Sequence, residues 1–148
     1  MLSRRALPVP FTVLAWFLCL SCAPAADVPS RTPDEAAERV RAGTAVLVDV
    51  REPAEWADSG VVATAHLLPL SDLRGARTQW KAFLEAHRDK ELILYCRTGN
   101  RSGQAATLLA AEGFHVANAG GMREWIAAGQ PTRPADAPPR APTPAPAN

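Results

Sequence analysis

Two short apolar runs constrain the fold more than anything else in this chain. "AVLVDV" spans residues 45–50 and "ELILYC" spans 91–96. Both are continuous rather than alternating, which is the pattern of strands covered on both faces, as in a parallel sheet. Helical signals separate them. "TPDEAAERVRAG" opens with Thr32 as a cap, Pro33 at the first helical position and Glu35 completing a capping box, and Gly43 is placed to end it. In "RTQWKAFLEAHR", Trp80, Phe83, Leu84 and His87 share one face at helical spacing. "SGQAATLLAAEG", 102–113, reads as an alanine-rich helix stopped by Gly113, and "MREWIAAG" as a short final helix. "AHLLPL", 65–70, and "FHVANAGG" read as shorter strands, and "REPAEWADSG" as a loop with a helical turn at 54–57. Strands that alternate with helices predict an α/β domain, a mostly parallel sheet with helices on both faces. Ligands of such sheets bind outside the carboxyl ends of the strands. Asp49 and Cys96 end the two strongest strands and so emerge on one edge.

The N-terminus has the layout of a secretory signal over residues 1–25. Arg4 and Arg5 form a positive region, an apolar run covers Ala6 to Leu20, and "SCAPAA" supplies small residues for cleavage. The run has 15 residues and two prolines, short of the ~20 that a spanning helix needs. "LSCAPA" also resembles a bacterial lipoprotein processing site, with cleavage before Cys22 and a lipid anchor there, although Cys19 stands where that pattern prefers Leu. Export is expected on either reading, to a bacterial periplasm, with membrane attachment only through Cys22. Cleavage leaves 14 basic and 15 acidic residues and no basic stripe, so nucleic acid is not expected as a partner. Cys19 and Cys22 belong to the leader, which leaves Cys96 as the only thiol of the domain at 28–131. Residues 132–148 are rich in proline and are expected to form a disordered tail. His66, His87 and His115 show no metal-ligand spacing.

Between Cys96 and the next helix lie Arg97, Thr98, Gly99, Asn100 and Arg101, with Ser102 opening the helix. Such a loop curls its backbone N–H groups inward as an anion cradle, and Gly99 permits the positive φ that the curl requires. A helix terminus contributes up to ~2 kcal/mol to a partly buried charge, about 1.5 pKa units. Cys96 is therefore expected to ionise readily, with Arg97 and Arg101 adding positive charge.

"CRTGNRS" is similar to the active-site loop of the rhodanese family of sulfurtransferases. Three further stretches agree in order: "LVDVREPAEW", "SGVVATAHLLPL" and "GGMREWIAAGQP". The resemblance runs from about Val28 to Pro131. It implies a rhodanese-like α/β fold of about five strands and sulfur transfer without cofactor or metal. In that family's chemistry, Cys96 takes a sulfane sulfur from an anionic donor such as thiosulfate and becomes a persulfide. Cyanide or a thiol then accepts the sulfur. The resemblance further implies that the amides of residues 97–102 stabilise the sulfur, that Arg97 and Arg101 attract the donor, and that Asp49 and Arg51 pair to support the loop. Val61 and Thr64 depart from the family pattern, which often has His and Gly there.

The residues leave two alternatives. One is a sulfur carrier or binding module without turnover. The other is a phosphatase or arsenate reductase on the same fold, whose loops place five residues between Cys and Arg, whereas four separate Cys96 from Arg101 here. Glu52 and Glu55 read as solvated carboxylates, and Trp56, Trp80 and Trp125 as packing residues. An activated thiolate predicts that iodoacetamide labels Cys96 with a midpoint below about pH 7.5; a midpoint near 9 removes that claim.

Overall fold

The computed structural model describes residues 27–142. The expected leader, with Cys19 and Cys22, lies outside the described residues, as do the last six residues. Six strands are described: β1 (Ala45–Asp49), β2 (Val61–Val62), β3 (His66–Leu67), β4 (Glu91–Cys96), β5 (Val116–Gly121) and β6 (Thr132–Arg133). Six helices accompany them: α1 (Pro33–Arg41), α2 (Pro53–Ser59), α3 (Leu70–Arg74), α4 (Trp80–Ala86), α5 (Asn100–Ala111) and α6 (Met122–Ala127). The main sheet runs β3-β1-β4-β5, and every pairing in it is parallel. It therefore has four strands rather than about five. β2 and β6 are only two residues long and pair antiparallel with each other, apart from the sheet.

Side-chain alternation divides the core into two faces. Val46, Val48, Leu92, Leu94 and Cys96 pack with Leu73, Trp80, Ala105 and Leu109 on the side of α3, α4 and α5. Ala45, Leu47, Ile93 and Tyr95 pack with Ala36, Met122 and Trp125 on the side of α1 and α6. With both faces covered, no position of β1 is exposed, which is why its sequence reads as an unbroken apolar run. α1 carries the expected capping box: the Glu35 amide donates to Thr32 Oγ1, and the Thr32 amide to Glu35 Oε2. α2 is longer than the single turn expected at 54–57. α5 starts at Asn100, two residues ahead of Ser102, because Gly99 at φ 87° turns the chain directly into the helix.

The described part of the proline-rich tail, residues 132–142, is held against the domain. A proline-rich segment buries little on its own, but here one arginine anchors it. Arg133 is buried and donates to the carbonyls of Ala63 at 3.1 Å and Ala65 at 2.8 Å. It also donates to the tail's own carbonyls, at Pro134 and Ala137. The Arg140 amide adds a 2.8 Å bond to Ala63 O, and the Ala63 amide donates to Pro131 O. These bonds fasten the segment between β2 and β3, next to the edge where β1 and β4 end. Truncation after Pro131 is expected to remove about 2–4 kcal/mol of stability, because buried carbonyls lose their donors. Urea denaturation checks this, with truncation after Pro142 expected to match the full chain.

Candidate active site

β4 carries Cys96 to the carboxyl edge of the sheet, beside the end of β1. Gly99, at φ 87° and ψ −15°, reverses the chain so that the loop folds back over the sulfur. The Gly99 amide donates to Cys96 Sγ at 3.1 Å, and the Ser102 hydroxyl lies 3.5 Å from it. Burial pushes the thiol's pKa up. The hydroxyl of Ser102 and the amides of Ser102, Thr98 and Gly99 outweigh that and hold it below its ordinary value. The cradle expected at residues 97–102 thus turns amides toward the sulfur. Cys96 itself has no exposed surface. It lies at the base of the loop rather than in its open mouth, because the loop that supplies the amides also covers the atom.

The other loop residues divide. Arg97 and Thr98 are exposed and line a cleft of about 730 Å³, together with Arg51, Glu55, Met122 and Ile126. Asn100 is exposed, and its side-chain oxygen accepts from Gln104 Nε2. Arg101, expected to attract a donor, is paired in this structure. Its guanidinium forms a two-point pair with Glu55, at 2.6 and 2.7 Å, which ties α5 to α2. Glu55 is correspondingly not a free carboxylate. The hydrogen bond from Arg101 holds its pKa at about 2, against the opposing effect of burial. Glu52 is engaged as well, accepting from the amide and hydroxyl of Ser71.

Asp49 and Arg51 meet in a buried pair. Arg51 Nη2 lies 2.7 Å from Asp49 Oδ2, and Arg51 Nε lies 3.0 Å from both carboxylate oxygens. The same guanidinium donates to Ser59 Oγ and Gly60 O. Its bonds therefore fix the end of α2 rather than touching the cysteine loop. A buried pair of this kind survives desolvation only with its remaining donors satisfied, and the contacts to Ser59 and Gly60 meet that condition. Trp80 and Trp125 are core residues, as expected, and each indole N–H donates to a backbone carbonyl. His66 of β3 makes tilted ring contacts with Phe83 of α4 and with His87 at the end of that helix. Among the described residues no group of three or more His, Cys, Asp or Glu is placed to hold a metal.

Two residues of the site escaped the sequence reading. Glu55 sits three residues after Glu52 in an acidic loop, and nothing local distinguishes a paired carboxylate from a solvated one. Asn118 left a signal. Val116 and Asn118 face α5 while Ala117 and Ala119 face the opposite core, so Asn118 is a lone polar residue at an inward strand position. Its side chain reaches Ser102, Gly99 and the Gly120 amide.

Residues 32–128 match the family model for the rhodanese-like domain. The chain belongs to that family. Among characterised relatives, the thiosulfate sulfurtransferase GlpE of Pseudomonas syringae is 35% identical over 97 residues, covering 64% of this chain and 85% of GlpE. An uncharacterized protein of Synechocystis, slr1261, is 37% identical over 89 residues, 59% of this chain; the match spans under half of that longer relative, 46%. Among solved structures, the human single-domain sulfurtransferase TSTD1 superimposes with a TM-score of 0.57 at 28% identity, covering 68% of this chain and 97% of TSTD1.

In this rhodanese-like domain, the Glu55 pair has a calculable pH signature. A carboxyl held at about 2 stabilises the fold above its ordinary value of 4.5, and the contribution is lost as pH falls through about 2. Glu55→Gln is therefore expected to lower the denaturation midpoint at pH 6, with the difference from wild type shrinking below pH 4.5. A constant difference from pH 6 to pH 3 would contradict the assignment.

Proposed function

We propose that this protein is a sulfurtransferase whose catalytic residue is Cys96. The observation that carries the reading is the Gly99 amide directed at Sγ from 3.1 Å, joined by the amides of Thr98 and Ser102. Donors fixed in this way stabilise an anion on sulfur without reorganising as the reaction proceeds. The Cys96 thiolate attacks the sulfane sulfur of a donor such as thiosulfate. A Cys96 S–S bond forms, the donor's S–S bond breaks, and sulfite leaves with the electron pair. The persulfide carries one negative charge, as the thiolate did, so the same amides serve both states. Cyanide or a thiolate then attacks the outer sulfur, takes it, and returns the Cys96 thiolate. Two displacements on one nucleophile give ping-pong kinetics.

The cleft next to Cys96 favours an acceptor larger than cyanide. Its volume of about 730 Å³ and its apolar Met122 and Ile126 suit an organic thiol. Because Sγ is covered, attack on the donor requires a displacement of the loop that opens a path from this cleft. Two exposed guanidinium groups line this cleft, Arg97 and Arg123, and Arg97, which belongs to the cysteine loop, is assigned the attraction of the anionic donor.

Exposure to thiosulfate is expected to raise the intact mass by about 32 Da, one sulfur, and later addition of cyanide to reverse the gain with release of thiocyanate. Cys96→Ser is expected to show neither. Persulfide without turnover would favour a carrier, and hydrolysis of phosphate esters with no reaction toward thiosulfate would overturn sulfur transfer altogether.

A further inference from the structure

Two of the donors around Cys96 Sγ are held by a residue that does not touch the sulfur. Asn118 of β5 donates from Nδ2 to Gly99 O at 3.0 Å. Its Oδ1 accepts the Ser102 hydroxyl at 2.7 Å and the Gly120 amide at 3.2 Å. Its own peptide groups are fixed from outside the site, with the amide donating to Pro29 O and the carbonyl accepting from Arg31. A Cβ added at Gly103 would lie 3.3 Å from Nδ2, so the amide sits closely against the first turn of α5. Between Leu94 and Cys96 the β4–β5 register slips, and the paired β5 positions are Asn118 and Gly121. That bulge leaves the Asn118 side chain against the loop while the glycines pass beneath it.

We propose that Asn118 is a positioning residue for Cys96: it holds the Gly99 turn so that the Gly99 amide stays aimed at Sγ, and it fixes the Ser102 side chain beside the sulfur. The Gly99 carbonyl and amide flank the one left-handed residue of the loop, so holding the carbonyl limits the rotation that would turn the amide away from sulfur. Ser102 has one hydroxyl proton. Its shortest contact is to Asn118 Oδ1, and Sγ lies 3.5 Å away on the same oxygen. Asn118 Oδ1 accepts that proton, so Asn118 fixes the Ser102 oxygen beside Sγ while the Gly99 amide is the donor aimed at sulfur. Without Asn118, the Gly99 carbonyl keeps the Gly103 amide at 3.0 Å but loses the side-chain donor that ties it to β5.

The consequence for turnover rests on the sulfur-transfer reading, but the positioning is measurable without substrate. The charged groups around Cys96 are Arg97 and Arg101 from the loop and α5, Glu52, Glu55 and Asp58 at and in α2, the Asp49–Arg51 pair from the end of β1, and Arg123 and Glu124 of α6. Asn118→Leu alters none of them, so a change in the titration of Cys96 reports the aim of the neutral donors.

The test follows the thiolate absorbance near 240 nm and the iodoacetamide rate against pH, with thermal melting beside them. Asn118→Leu is expected to raise the Cys96 midpoint by about one pH unit. Asn118→Ser, too short to bridge both partners, is expected to do the same and serves if the leucine variant fails to fold. A lowered melting temperature with a midpoint at or below that of wild type overturns the proposal and leaves Asn118 a packing residue. A wild type that gains sulfur from thiosulfate, with an unmoved Asn118→Leu midpoint, sinks the positioning role alone. A shifted midpoint in a protein that takes up no sulfur sinks the transfer reading alone.

Discussion

The left-handed turn at Gly99 is the constraint on which the site depends. With φ at 87°, the residue bends the chain back on itself, so the amides of the loop face the atom they have just left. A side chain at this position would meet two obstacles. The conformation is unfavourable for any residue with a Cβ, and that Cβ would lie 3.3 Å from Gly120 Cα. The crowding extends to the next residue of β5, where a Cβ on Gly121 would come within 2.5 Å of Arg97 O. The ends of β4 and β5 are thus pressed together with backbone against backbone. That closeness brings Asn118, on the neighbouring strand, within hydrogen-bond reach of both Gly99 and Ser102.

Neutral dipoles, rather than cations, dominate the electrostatics at Cys96. Arg51 is consumed by Asp49, Ser59 and Gly60, and Arg101 by Glu55. Arg97 is exposed, where charge interactions contribute about 0–1 kcal/mol and are screened by salt. A hydrogen bond to a charged group contributes about 1.5–3 kcal/mol, and the amides act on a fully buried sulfur. The comparison decides the ordering: the amides set the ionisation of Cys96, while the arginines set the shape of its surroundings. The pairings of Arg51 and Arg101 still matter, because each fastens α2, which forms one wall of the cleft.

The sheet was legible because burial on both faces writes itself into sequence. "AVLVDV" and "ELILYC" became β1 and β4, side by side and in register from Ala45 and Glu91 onward. The cradle was legible for a similar reason, since a glycine between a strand end and a helix start has few other uses. What stayed hidden depends on partners distant in the chain. Arg101 meets Glu55 from 46 residues away, and no local pattern announces that pairing. The anchor of the tail was hidden too, because proline content describes a segment's average, whereas Arg133 docks residues 132–142 through one side chain. The depth of Cys96 was also hidden, because the same loop residues describe an open cradle and a closed one.

That depth bears on how sulfur would move. A hydrogen-bonded, covered thiolate is stabilised in its ground state, which by itself slows attack. The compensation lies in the product. In a persulfide the terminal sulfur stands about 2 Å beyond Sγ, so an acceptor meets an atom further from the base of the loop than the one the donor had to reach. On the proposed route through Cys96, loading requires the loop to part over the sulfur, whereas unloading requires less. The residues that hold the loop closed, Asn118 above all, therefore act in two directions at once. They keep the amides aimed at sulfur, and they resist the opening through which the donor enters. A loop gripped more weakly would admit the donor more easily but would present it with a less ionised sulfur, so the strength of this grip limits the rate from both sides.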